Sequence, residues 1–283
     1  MSGGRLDVGV PVRDALEGAT GAIGAAGCET PRLDAEVMLA HTLGVSRERL
    51  MIERELSVRG PAVRAFQDAV RRRAKDREPV AYIVGRRAFR RLEVLVDRRA
   101  LIPRPETELL VEIGLGLSSG ARVLDLGTGS GAVALALKDE RPDLEVAGSD
   151  VEVGALELAR TNGRRLGLQV RWLHASLLAS IPGGFDALLC NPPYVAEPER
   201  RELAPEILRH EPPAALFAGP DGLVTIRALI EQIADRSDLG LAAIEVGAGQ
   251  APAVAELMQA AGFALVRAER DLAGIERVVV GER

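Results

Sequence analysis

Val123-Leu124-Asp125-Leu126-Gly127-Thr128-Gly129-Ser130-Gly131 is the stretch from which the fold of this chain can be argued. An apolar run holding one carboxylate ends in three glycines at alternate positions, and a helical pattern follows over residues 132–138. That order reads as a buried strand turning through glycine into a helix. Glycine here removes side chains so that a ligand can approach the backbone, and the helix start adds unpaired N–H groups. A glycine-rich turn is a weak signal by itself, so its surroundings decide.

Outward from that turn, strands and helices alternate. Strand-like runs cover residues 122–126, 144–149, 169–174, 185–190, 239–246, 263–269 and 276–280, and helical patterns cover 132–138, 153–166, 223–234 and 252–261. Between 174 and 185 there is room only for a short turn. Alternation of this kind predicts an α/β domain, a mostly parallel sheet with helices on both faces and ligands at the carboxyl ends of its strands.

Upstream, residues 12–75 read as helices. Val12, Leu16, Ala19 and Ile23 recur at helical spacing, and Gly27 breaks the run. Thr30-Pro31 suits a cap and first turn, Gly44 closes that second helix, Ser46 opens a short third, and 61–75 places Val63, Phe66 and Val70 on one side. The basic run Arg71-Arg72-Arg73 with Lys75 and Arg77 reads as a solvated helix face, with partner docking as the alternative. Ala81-Tyr82-Ile83-Val84 and Leu92-Glu93-Val94-Leu95-Val96 suit a hairpin around a basic turn. The expected division is a helical domain over 1–78, a β-hairpin linker over 79–102 and the α/β domain over 103–283.

Three further stretches carry chemistry. Ile102-Pro103-Arg104-Pro105-Glu106-Thr107-Glu108 is forced extended by its prolines, with Glu106 or Thr107 free to cap the next helix. Asp150, ending the second strand, can accept hydrogen bonds from two ribose hydroxyls or cap the helix after it. Cys190-Asn191-Pro192-Pro193-Tyr194 follows a buried strand; its prolines supply no N–H, so the carbonyls of Asn191 and Pro192 sit in a rigid frame with few internal donors. The Asn191 amide oxygen and a neighbouring carbonyl could each accept one N–H of a planar –NH₂ group while Tyr194 covers its face. The plain alternative for Asn-Pro-Pro-Tyr is a strand-ending turn.

Composition narrows the function classes. The 283 residues are 47% hydrophobic, enough for a full core, and the formal net charge is −5. That balance is unlike the footprint of a duplex-binding protein. Cys28 and Cys190 lie outside any metal-ligand spacing, so a reduced protein without a structural metal is expected. Met1-Ser2-Gly3-Gly4-Arg5-Leu6-Asp7 has no apolar signal core and no run is long and apolar enough to span a bilayer, so the expected location is the cytoplasm. Trp172 reads as core, His174 as a strand-end surface residue, and Gly247-Ala248-Gly249-Gln250 as a turn before a helix.

The spacing Gly-x-Gly-x-Gly behind Asp125 differs from the Gly-x-Gly-x-x-Gly of dinucleotide enzymes. It resembles the first motif of S-adenosylmethionine-dependent methyltransferases, whose ligand carries a positive sulfonium. With it, the 102–108 and 191–194 stretches, Pro31-Arg32-Leu33-Asp34-Ala35-Glu36, Gly219-Pro220-Asp221-Gly222-Leu223 and Asp271-Leu272-Ala273-Gly274-Ile275 resemble the release-factor glutamine methyltransferase family (PrmC/HemK) over nearly the whole chain.

The resemblance implies a Rossmann-like seven-stranded methyltransferase domain behind a small all-helical domain. It implies methyl transfer from S-adenosylmethionine, with S-adenosylhomocysteine as product, to the side-chain amide nitrogen of the glutamine in the Gly-Gly-Gln motif of class I peptide chain release factors. Gly127, Thr128, Gly129, Ser130, Gly131, Asp150, Leu177 and Asn191 would hold the cofactor. Asn191, Pro192, Pro193 and Tyr194 would hold the glutamine, with Asn191, Pro192 and Tyr194 the catalytic set. No membrane contact, no stable nucleic-acid binding and a monomer are expected.

Three positions depart from the family pattern. Ser176-Leu177 replaces an Asp and a bulky residue near adenine, Val224-Thr225-Ile226-Arg227 lacks a usual tyrosine, and Arg91 takes a usual glycine. Two other readings compete: an amino-methyltransferase acting on an exocyclic amine of DNA or RNA, and a Rossmann-type nucleotide binder without chemistry. The first is disfavoured by the negative charge and the scarcity of aromatics. Asn191 and Tyr194 argue against the second.

Overall fold

Helix-forming periodicity and well-placed caps build the N-terminal part. In this computed structural model, which describes residues 9–53 and 57–283, the helices are α1 (Val12–Ala25), α2 (Pro31–Leu43), α3 (Arg47–Ile52), α4 (Pro61–Lys75) and α5 (Val80–Val84). The Met1–Asp7 stretch lies outside the described residues. Gly44, in the left-handed region at φ 65°, ends α2, and the Ser46 hydroxyl accepts from the Arg49 N–H at the start of α3, the expected stop and start chemistry. Val12, Leu16, Ala19 and Ile23 of α1 are buried with Met38 and Leu39 of α2 and Phe66 of α4. Two short strands, β1 (Val10–Pro11) and β2 (Ser57–Val58), pair antiparallel beside them.

Two readings of this part are corrected. Ala81-Tyr82-Ile83-Val84 forms the helix α5, entered from Pro79 and stopped by Gly85 at φ 73°. The hairpin is instead β3 (Arg86–Phe89) against β4 (Leu92–Leu95). Four residues of an apolar run carry too little periodicity to separate helix from strand, and the flanking proline and glycine won. The second correction is Arg73, which is 7% exposed and no part of a solvated face. Its guanidinium donates to Asp34 Oδ2 at 2.6 Å and to Glu206 Oε1 at 2.7 Å. Arg77 grips the same Glu206 at 3.0 Å through two nitrogens and donates to the Ala26 carbonyl.

The remainder folds as an α/β layer structure. After a 3₁₀ turn at Pro105–Thr107 come α6 (Glu108–Leu115), β5 (Arg122–Leu126), α7 (Ala132–Glu140), β6 (Glu145–Asp150), α8 (Val153–Leu166), β7 (Arg171–His174) and β8 (Ala187–Cys190). A short helix α9 (Pro205–His210) precedes α10 (Val224–Ala234), β9 (Leu241–Glu245), α11 (Ala251–Ala260), β10 (Leu265–Arg270) and β11 (Glu276–Glu282). The sheet order is β10-β11-β9-β8-β5-β6-β7, with β11 antiparallel to both its neighbours and β5 to β9 mutually parallel. This is the seven-stranded Rossmann-like arrangement.

The chain divides into two units. One takes residues 1–85 together with Ala204–His210, which contains α9; the other takes 86–203 and 211–283. Glu206 of α9 is the residue gripped by Arg73 and Arg77, so a segment far along the chain belongs to the helical unit through buried ion pairs. Among the described residues no helix is long and apolar enough to cross a membrane.

Candidate active site

The register of the central strands fixes where the site lies. Leu126 of β5 pairs with Ser149 of β6 on one side and with Cys190 of β8 on the other, and Cys190 pairs with Ile244 of β9. From β5 chain order runs outward through β6 and β7 on one side and through β8 and β9 on the other, which makes its carboxyl end a switch point where loops part. Gly127, Asp150, Asn191 and Glu245 therefore gather along one edge of the sheet.

The glycine loop is shaped from within. Gly127, Gly129 and Gly131 all take positive φ, at 72°, 55° and 83°, which L side chains rarely adopt. A Cβ on Gly127 would stand 3.7 Å from the Asn191 carbonyl and narrow the gap between the two loops. Thr128 and Ser130 are buried and turned into the protein. The Thr128 hydroxyl donates to Asp125 Oδ2 at 2.5 Å, and the same oxygen accepts from the Ala134 N–H at 3.1 Å. Asp125 thus ties the loop to the first turn of α7. Burial pushes its carboxyl up to about 7, offset by those two bonds and aided by the nearby Asp150 charge.

Asp150 does not cap α8, whose N-cap is Glu152 with no side-chain cap, and instead ties two loops together. Its Oδ1 accepts from the Glu152 N–H at 2.9 Å, and its Oδ2 accepts from the Gly129 N–H at 2.9 Å. The carboxylate, half-buried and raised in pKa mainly by desolvation, keeps outward lone pairs. Leu177, at φ 51°, packs partly against the sheet core after β7. His174 is exposed at its strand end, while Trp172 is half-buried with its ring against Gly131 and Gly148.

At β8, Cys190 is fully buried and Asn191 half-buried. The Asn191 Nδ2 donates to the Thr107 hydroxyl at 3.0 Å. Among the described residues no hydrogen bond uses Asn191 Oδ1 or the Pro192 carbonyl. Both acceptors are therefore available, as two adjacent prolines without N–H groups lead one to expect. The expected cap is corrected here. Thr107 does occupy the residue before α6, but its hydroxyl makes no cap; it accepts from Asn191 Nδ2.

Sequence reasoning missed Glu245 and the role of Gln250. Glu245 ends β9, is 1% exposed, and accepts from the Tyr194 hydroxyl at 3.3 Å through Oε1. Burial pushes its carboxyl up to about 7 against the pull of the neighbouring Thr107 and Tyr194 hydroxyls. The Tyr194 phenol is in turn held above its ordinary value, first by burial and then by Glu245, so it stays a donor. The available signal was a lone carboxylate closing the apolar run Leu241-Ala242-Ala243-Ile244.

Gln250 braces the other end of the Asn-Pro-Pro-Tyr segment. Its Nε2 donates to the Tyr194 carbonyl at 3.0 Å and its Oε1 accepts from the Gly247 N–H at 2.8 Å. Gly222, at φ 73°, lets the 219–223 turn pass directly against the Tyr194 carbonyl, where any Cβ would collide. Arg104 pairs with the buried Glu211, whose other oxygen accepts from the Ile102 N–H at 3.1 Å. That pair holds the Pro-Arg-Pro segment, and with it Thr107, in place.

Known proteins share this organisation. Residues 14–85 match the family model of the PrmC N-terminal domain, and residues 105–226 match that of the methyltransferase small domain. The release factor glutamine methyltransferase of Rhodospirillum rubrum is 39% identical over 263 residues, 91% of this chain and 81% of that protein. The one of Mycolicibacterium smegmatis is 39% identical over 279 residues, 96% of this chain and 98% of its own length. Among solved structures, the catalytic domain of hMettl16 in complex with an RNA hairpin aligns with a TM-score of 0.55 at 15% identity, over 78% of this chain and 81% of that one. That likeness is one of fold. Identity at this level over almost the full length of both partners, with both parts matched in order, means that the chain belongs to the release factor glutamine methyltransferase family.

Proposed function

We propose that this protein transfers a methyl group from S-adenosylmethionine to the side-chain amide nitrogen of the glutamine in the Gly-Gly-Gln motif of class I release factors. The observation that carries the reading is the pair of unused acceptors, Asn191 Oδ1 and the Pro192 carbonyl, on a segment braced at both ends. Two acceptors side by side suit the two N–H bonds of a primary amide. The reaction belongs to the cytoplasm, where release factors act, and needs only a monomer.

The site residues suit the cofactor. Gly127 leaves its backbone open beside Asn191, and Asp150 offers a carboxylate with free lone pairs for two ribose hydroxyls. Asp150 places negative charge beside the glycine loop, which suits a cationic sulfonium better than a pyrophosphate. Thr128, Ser130 and Gly131 shape the loop from behind, and Leu177 reaches the adenine side. When bound, S-adenosylmethionine supplies an electrophilic methyl carbon on a leaving group that departs as a neutral thioether.

The chain's own residues then have one main task, which is orientation. An amide nitrogen is a poor nucleophile because its lone pair is delocalised into the carbonyl. Asn191 Oδ1 and the Pro192 carbonyl accept both N–H bonds and favour the partly pyramidal geometry that attack requires. Pro193 and Tyr194 flank the amide plane and exclude water. Positioning of this kind can contribute roughly 7–11 kcal/mol to lowering the barrier. The proton lost afterwards is acidic enough for water or a carbonyl oxygen to take, so no general base is assigned.

The helical unit over residues 1–78 is the proposed docking domain, joined through 79–102 to the methyltransferase domain over 103–283. The direct test is mass spectrometry of a purified release factor incubated with this protein and S-adenosylmethionine. A single methyl group on the Gly-Gly-Gln glutamine is expected. Methylation of DNA or RNA in parallel reactions, with the release factor unmodified, would replace this reading with the nucleic-acid one. For Asp150→Ala, calorimetry should show at least about a tenfold weaker Kd for S-adenosylmethionine, since hydrogen bonds to a charged group contribute about 1.5–3 kcal/mol each. Unchanged affinity would refute the ribose role.

A further inference from the structure

Asn162 lies within α8 and is fully buried, with 0% exposure. Asparagine favours turns and caps over helix interiors, and a buried amide is costly unless its polar atoms find partners. Its partners here are backbone groups of two other segments. Oδ1 accepts from the Leu95 N–H at 2.7 Å and Nδ2 donates to the Leu95 carbonyl at 3.0 Å, so the amide pairs with the free edge of β4 as a further strand would. Nδ2 also donates to the Ser130 carbonyl at 2.9 Å, inside the glycine loop.

The Ser130 carbonyl depends on that bond. In a regular helix it would accept from the N–H four residues on, but the Ala134 N–H is taken by Asp125 Oδ2 at 3.1 Å. Among the described residues no backbone N–H reaches it, and Ser130 is 2% exposed, so water does not serve it either. The following residue is equally constrained. The Gly131 N–H donates to the Thr128 carbonyl at 2.8 Å, and a Cβ on Gly131 would meet the Trp172 ring at 2.9 Å. Without Asn162 the Ser130 carbonyl would be a buried acceptor with no donor, which favours loop conformations that turn this peptide toward water.

We propose that Asn162 is a positioning residue for the cofactor: its amide holds the Ser130 carbonyl inward, keeps Gly127 to Gly131 in the conformation that receives S-adenosylmethionine, and locks that loop to the β3–β4 hairpin at Leu95. Through Leu95 the hairpin contributes to cofactor affinity. The packing around this link agrees. Ala100, just past the hairpin, is buried with Ala155 and Leu158 of α8, and a Cβ on Gly129 would stand 3.8 Å from it. This rests on the reading of the glycine loop as the S-adenosylmethionine site.

Calorimetry on the full chain gives the test. Asn162→Ala should raise the Kd for S-adenosylmethionine at least about tenfold, because only molecules whose loop is already in place can bind. The KM for a release factor should change less than about threefold, since the amide clamp is untouched. An asparagine that served stability alone would lower Tm and leave the Kd of the folded variant within about twofold of the parent; that result overturns the proposal. Should Asn162→Ala fail to fold, hydrogen exchange of the parent decides. Saturating S-adenosylmethionine should slow amide exchange over residues 92–96 together with 127–131 and leave the edge strand β10 unchanged, because a ligand protects whatever must be in place for it to bind. Slowing at 127–131 without any at 92–96 overturns the link. The parent separates the two ideas: if it binds S-adenosylmethionine and Asn162→Ala binds as well, only the positioning role falls, whereas a parent that does not bind takes the cofactor reading down too.

Discussion

Replacing Asn191 with alanine is expected to lower kcat on a release factor by about 10²–10³, the range seen when one preorganised polar contact to a reacting group is removed. The size follows from where the side chain sits. Asn191 is half-buried at the end of β8, with Nδ2 held by Thr107 and the next two residues locked as prolines. Little reorganisation remains when the amide nitrogen is aimed, so the contact acts mainly in the transition state and its loss appears in kcat. Cys190, just before it, pairs with Leu126 and Ile244 in the middle of the sheet; the strand is braced from both sides, and truncating the next side chain leaves the fold intact. Stopped-time assays with labelled cofactor, beside calorimetry on the same variant, give the measurement. A loss below about tenfold with the fold and cofactor binding retained would show that Asn191 does not align the amine.

The second large effect is on stability. Arg73→Ala should destabilise the helical unit by about 3–5 kcal/mol, because removing one member of a buried ionic group leaves the buried Asp34 charge without its cation. Arg73 and Asp34 side chains are both 8% exposed, and Glu206 contacts Arg73 and Arg77 together. The alanine variant leaves Asp34 with only the Thr30 hydroxyl, and α9 is then held by Arg77 and by His210 Nε2 against the Asp76 carbonyl. Arg71 lies in the same basic run, yet its pairs with Asp68 and Asp76 are solvent-exposed; Arg71→Ala is the control and should change little. Hydrogen exchange followed by mass spectrometry reads the result. Protection should fall in α1, α2, α4 and α9 and persist in β5 to β9. Equal protection of both units in Arg73→Ala and the parent would show that the ion pairs contribute nothing net.

A buried arginine and a buried glutamate are the two features composition hides best. In the run 71–77 the basic residues look alike, and nothing local marks Arg73 as the one turned inward. What marks it is the pairing of α4 with Asp34 of α2 and with Glu206, 133 residues away. Glu245 is similar: its partner is Tyr194, 51 residues back along the chain. Thr107 misled for the same reason. Its position before α6 is a cap position by local rules, but a hydroxyl makes the bond that the surrounding fold offers, and here the fold offers Asn191.

Local chemistry alone determined the glycine loop, the seven strands, the proline-locked segment after β8 and most of the helices. Each depends on backbone freedom, a missing N–H or a short-range period, all properties a residue carries into any fold. Tertiary structure decided which charges are buried, which hydroxyl serves which partner, and that 204–210 belongs with the N-terminal unit. Those outcomes turn on contacts between distant segments, where a burial cost and a hydrogen bond are settled by whichever neighbour the packing brings within 3 Å or so.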